Sequence, residues 1–141
     1  MDDKEKTINK TTDKTADKED SIGAIAEALF MINLLLTGLF YVALWILYFL
    51  KYKDASQVSK NHLKQALIAS SISLLIFIAM FLYAALSSGF NSATTLIMGE
   101  IYLMLVIPLF LILGILGFTK AINHKNYAYP IIGKKLGITT D

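Results

Sequence analysis

Two carboxylates stand in apolar surroundings in this chain, Glu27 within "IGAIAEALFM" and Glu100 within "TTLIMGEIYL". A carboxylate at membrane depth costs roughly 2.5 kcal/mol or more at the bilayer centre, so each needs a partner, water or a proton. Asn33, Thr37 and Tyr41 follow Glu27 on one apolar run. At about 100° per residue these four and Tyr48 share about a third of a helix circumference. Two acids at one depth beside amide and hydroxyl groups could bind a cation or relay a proton. The plainer reading is that the acids reach the headgroup layer while the stripe packs on a neighbouring helix. Its natural partners are the small and hydroxyl-bearing positions Ala66, Ser70 and Ser73, with Ala69 and Ser73 forming a small-xxx-small step. The candidate polar site is therefore Glu27, Asn33, Thr37, Tyr41 and Glu100.

No other recognisable chemistry is evident. The chain has no cysteine, which removes thiol nucleophiles, disulfides and thiolate ligands. Its two histidines, His62 and His124, are far apart in sequence, and neither a nucleophile elbow, a phosphate-binding glycine loop nor a zinc signature occurs. No catalytic residue, metal or cofactor is expected. A net charge of +2 is too small to suggest nucleic acid as a partner.

The elements that must position these groups are membrane helices. Hydrophobic content of 55% and mean hydropathy of +0.57 in 141 residues lie outside the range of soluble domains. Residues 1–20 hold five lysines and seven acids with almost nothing to bury, and read as a retained, disordered charged tail rather than a signal peptide. Apolar segments at 22–50, 63–86 and 96–118 predict an all-α membrane domain over 21–136, a small bundle of three transmembrane helices, with residues 119–141 flanking the membrane. The first segment would make a helix of roughly 43 Å, longer than a ~30 Å hydrocarbon core, so it must tilt or begin at the interface. Pro108 should kink the third span, and Gly114 and Gly117 permit close helix approach.

Lysines 51, 53, 60 and 64 lie between the first two segments and lysines 120, 125, 134 and 135 follow the third, while 87–99 has none. The positive-inside rule then puts the 51–65 loop and the C-terminus in the cytoplasm and the 87–92 turn outside a cell (inner) membrane. Three spans leave the N-terminus outside. The alternative keeps it inside, with residues 22–36 as an interfacial or re-entrant piece. Tyr41, Trp45, Tyr48 and Tyr52, with Tyr127 and Tyr129, fit an aromatic belt on the cytoplasmic side. Asp54 or Ser56 can cap a helix that leads into the second span. His62 would lie near the membrane face, where a hydrogen bond to a neighbour is a plainer role than proton sensing.

Trp45, Lys51, Lys53 and Asp54, then Asn61, His62, Lys64, Gln65, Ala66 and Leu67, and finally Ala121, Ile122, Tyr127, Tyr129 and Pro130 form a recognisable arrangement. It resembles a large family of small bacterial and archaeal membrane proteins of unknown function, distantly similar to the membrane component of the chloroplast inner-envelope import translocon and often called import-component proteins. The resemblance implies three to four helices and a part in transport or complex assembly, with Asp54, His62, Tyr127, Tyr129 and Pro130 as motif positions. It implies no catalytic residue.

Three functions follow. The first is a non-enzymatic accessory or assembly subunit, with the bilayer and a larger membrane complex or further copies as partners. The second is a transport or protein-translocation component with Glu27, Asn33, Thr37 and Glu100 along a path. The third is a protein that binds anionic lipid through its flanking lysines.

Overall fold

The computed structural model describes residues 21–36, 38–87 and 89–140. The tail 1–20 and Thr37, for which the sequence suggested disorder and a place in the polar stripe, lie outside the described residues. The described residues form five helices: α1 (Ser21–Leu35), α2 (Leu39–Lys51), α3 (Gln57–Leu86), α4 (Ala93–Ile122) and α5 (Ile132–Lys135). There is no strand among the described residues.

Among the described residues only α3 and α4, at 30 residues each, are long and apolar enough to cross a membrane. At 1.5 Å per residue each reaches about 45 Å. The expected first span, 22–50, is instead two short helices. Gly38 interrupts it at φ 95°, a left-handed conformation that glycine adopts without steric cost. The Gly38 N–H is held by Asn33 Oδ1 at 3.1 Å, so an amide from the last turns of α1 closes the bend.

Contacts with α3 fix the path of the two short helices. Gly23 packs on Ser59, and Asn33 bonds Ser70, so α1 runs alongside α3 in the same direction. Tyr41 then meets Ser71, and Tyr52 lies beneath the Lys60 and Lys64 ammonium groups, so α2 returns. α1 and α2 thus enter and leave the bundle at one end. The expectation of three spans is corrected to two plus a helical hairpin, and the premise for placing the N-terminal side opposite the C-terminal tail goes with it. Hydropathy does not reveal this bend, because a single glycine hardly changes the average over a long apolar run.

Ser56 caps α3, its Oγ accepting from the Ser59 N–H at 3.3 Å, so the helix starts in the loop and runs straight into the span. Asp54 is exposed in that loop. In α4, Pro108 has no N–H to give the preceding turn. Just ahead of it the helix widens into a π segment, Tyr102–Val106, where Ile107 N–H bonds Tyr102 O.

At its other end α4 stops on His124, whose φ of 54° is left-handed. His124 N–H bonds Ala121 O at 3.1 Å and Lys125 N–H bonds Lys120 O at 3.0 Å, the paired bonds of a Schellman turn. That turn sends residues 125–131 back across α3 as a strap outside any helix. A second such turn at Gly137, with Ile138 N–H on Gly133 O at 3.0 Å, ends α5. The core gathers where hairpin, α3, α4 and strap meet, around Phe30, Leu34, Leu44, Leu63 and Tyr129.

Candidate functional site

The strap crosses α3 where the sequence "NHLKQ" presents one face every three to four residues, bringing Asn61, His62 and Gln65 together. Gln65 grips the strap backbone at two points: its Nε2 donates to Tyr127 O and its Oε1 accepts from Tyr129 N–H, each at 2.7 Å. The side-chain amide thus completes the backbone pairing that a neighbouring strand would supply. Asn61 Nδ2 adds a bond to Asn126 Oδ1 at 2.9 Å.

His62 joins the strap to the hairpin. Its Nε2 lies 2.9 Å from Lys125 O and its Nδ1 lies 2.8 Å from Glu27 Oε1. A carbonyl only accepts, so Nε2 carries a proton, and a single second proton is shared between Nδ1 and the Glu27 carboxyl. The Glu27–His62 contact is therefore either an ion pair or a neutral acid–imidazole hydrogen bond. Both side chains have no exposed surface. The Tyr129 hydroxyl donates to Glu27 Oε2, so both carboxyl oxygens are occupied. Burial pushes the Tyr129 phenol well above its usual range, with the adjacent Glu27 charge adding to the effect. Tyr127 is raised for the same reasons, burial first.

Glycines make room for this cluster. A Cβ on Gly117 of α4 would come within 2.6 Å of the Glu27 Cδ, and one on Gly23 would stand 3.2 Å from the Ser59 Cα. The expected close approach at Gly117 is thus an approach to the carboxyl itself. Gly114 does the same one turn earlier against Met31 and Phe30.

The sequence-derived site is divided by the structure. Glu27 enters the cluster just described. Asn33 is buried about two helical turns deeper, donating to Ser70 Oγ at 2.8 Å while it holds Gly38, and the Tyr41 hydroxyl pairs with Ser71 Oγ at 3.0 Å. The stripe therefore packs on the hydroxyl-bearing face of α3. Glu100 does not share the depth of Glu27. It is exposed in α4 beside the far end of α3, whereas Glu27 lies opposite the second turn of α3 at the near end. Among the described residues no group of three His, Asp or Glu side chains is placed to hold a metal ion.

Gln65, Asn61, Asn126 and Gly23 are members that sequence reasoning did not single out as site residues. The available signal was a buried acid in a segment without basic residues, which calls for any strong donor elsewhere, and histidine and tyrosine qualify as well as lysine. With its bonds internal, the cluster works as a clasp joining α1, α3, α4 and the strap.

The family model described as the MamF/MmsF magnetosome magnetite crystal formation protein family matches residues 18–136. The chain belongs to that family. No curated protein and no solved structure matches it.

Proposed function

We propose that this member of the magnetosome magnetite crystal formation family acts as a non-enzymatic accessory subunit of the magnetosome membrane, supporting crystal formation by assembling with other membrane components. The observation that carries the reading is the closed clasp. Both oxygens of Glu27, both nitrogens of His62 and both polar ends of Gln65 are spent on holding the fold together. Groups so committed are not available to attack a substrate or to line a polar path.

All described lysines lie at the end that carries the clasp, and the neutral turn after α3 lies at the other. By the positive-inside rule the lysine end faces the cytoplasm, leaving the α3–α4 turn and Glu100 toward the opposite compartment. Beyond the clasp α3 and α4 present Leu75, Ile78, Leu82, Leu103 and Met104 outward, an apolar surface suited to lipid or to another membrane helix.

Deletion in a magnetite-forming host tests the reading. Smaller or misshapen crystals by electron microscopy are expected, restored by the wild-type chain but not by a clasp-broken Glu27→Ala variant. The protein should also co-purify from mild detergent with other magnetosome membrane proteins. Iron or proton flux through liposomes containing the purified chain alone would instead make it a transport component and overturn the accessory role.

A further inference from the structure

Between the strap and the membrane helices runs a groove of about 400 Å³, within the size range of ligand sites. Ile72, Leu109, Ile112 and Leu113 form its helix wall, and Pro130 and Ile131 form its strap wall. We propose that this groove holds one acyl chain of an anionic phospholipid, with the phosphate against Lys134 and Lys135.

Three observations support this. The walls offer hydrocarbon, so the occupying part must be hydrocarbon as well. The groove lining continues from Pro130 and Ile131 into Ile132, the first residue of α5, whose last turn carries the exposed Lys134 and Lys135. Among the described residues that follow α4, the charged side chains are Lys125, Lys134 and Lys135. An anionic headgroup above an apolar tail matches that order of surfaces, whereas a second copy of the chain would bring lysine against lysine.

The groove is also held open before any lipid arrives. Tyr129 contributes to the strap wall, and its backbone and hydroxyl are fixed by Gln65 and Glu27. The ligand therefore meets a formed slot, and little ordering is left for binding to oppose. The site stands apart from the accessory role, since it needs only the fold.

Native mass spectrometry of the full-length protein in mild detergent, given equal phosphatidylglycerol and phosphatidylcholine, tests the site. The expected result is one phosphatidylglycerol retained per chain, with at least a tenfold preference. Leu113→Trp or Ile112→Trp should fill the groove and abolish retention without changing the melting temperature. Lys134→Gln with Lys135→Gln should bring the preference near parity while the fold persists. As a check that needs no variant, phosphatidylglycerol with a photoreactive acyl chain should label Ile112, Leu113 or Ile131. Equal retention of the two lipids, retention unchanged by a folded groove-filling variant, or labelling elsewhere would overturn the proposal. So would cross-linking between copies through Ile131→Cys, which would identify a second chain as the occupant.

Discussion

At the lysine end, α3 is flanked by α1, α2, α4 and the strap, and its buried residues run from Ser59 to Ser73. Past Ser73 only Ala84 of α3 is buried, and its partners there among the described residues are the first half of α4 and Phe90 of the turn. The contacts change character too. The near half has the Glu27–His62–Tyr129 cluster, the Gln65 grip and the Asn33–Ser70 bond. The far half has ring contacts, Phe77 on Tyr102 and Phe81 on Phe90, and a buried Tyr102 hydroxyl without a partner. The lesson is that helix length sets where polarity can be buried. α1 and α2 reach only partway along α3, so four elements can enclose polar groups near the lysines and two cannot do so beyond them.

The contrast can be broken most severely at Glu27. Glu27→Ala leaves His62 and the Tyr129 hydroxyl without their acceptor and opens a void, and removing one member of a buried pair costs about 3–5 kcal/mol. A large drop in melting temperature in detergent is expected, together with rapid proteolysis in 125–131.

Gln65→Leu keeps the volume but frees the Tyr127 carbonyl and the Tyr129 N–H, at about 1–3 kcal/mol for each group left buried. Limited proteolysis should show the strap opening while α3 and α4 stay protected. A strap as resistant as in wild type would show that the two-point grip is not what holds it.

Alkaline titration has a smaller effect. Tyr129 and Tyr127 have phenols raised above the ordinary 10.0, so the unfolded chain loses these protons first. Their contribution is complete below pH 10 and is lost as pH rises above it toward the folded values. Melting temperature should therefore be insensitive to these phenols at neutral pH and fall above about pH 10. Tyr129→Phe should show a shallower alkaline fall.

The smallest effect is expected in the far half. Tyr102→Phe removes a hydroxyl that bonds nothing, so stability should change by less than about 0.5 kcal/mol or rise slightly. A marked loss would reveal a partner for that hydroxyl and narrow the difference between the halves.

Much of the frame was legible in the sequence for physical reasons. Long apolar runs mark α3 and α4, a serine ahead of "QVSKNH" marks the start of α3, and small residues at 66, 69, 70 and 73 mark its packed face. The bend at Gly38 was less legible, since hydropathy averages over a single glycine and the run is long enough to span. The five lysines of residues 1–20 are what argues against three spans, and they motivate the alternative with residues 22–36 as an interfacial or re-entrant piece. The site was half legible. Glu27 announced itself as an acid needing a donor, but His62 is 35 residues away and Tyr129 is 102, and one sequence gives no pairing information across such distances.

The hairpin also bears on how the protein enters a bilayer. Because α1 and α2 return to the end from which they start, every described lysine lies at one end of the bundle. In a membrane with that end on one side, insertion would pass the α3–α4 turn and the first turns of α4 across, with Glu100 as their charged side chain. A lysine carried through the hydrocarbon centre would cost roughly 2.5–3.5 kcal/mol on the insertion scale, and in that arrangement none of the described lysines would have to make the passage. Insertion of α3 and α4 as a single looped pair, with the short hairpin and the strap closing over the near end afterwards, is the order of assembly that this geometry favours.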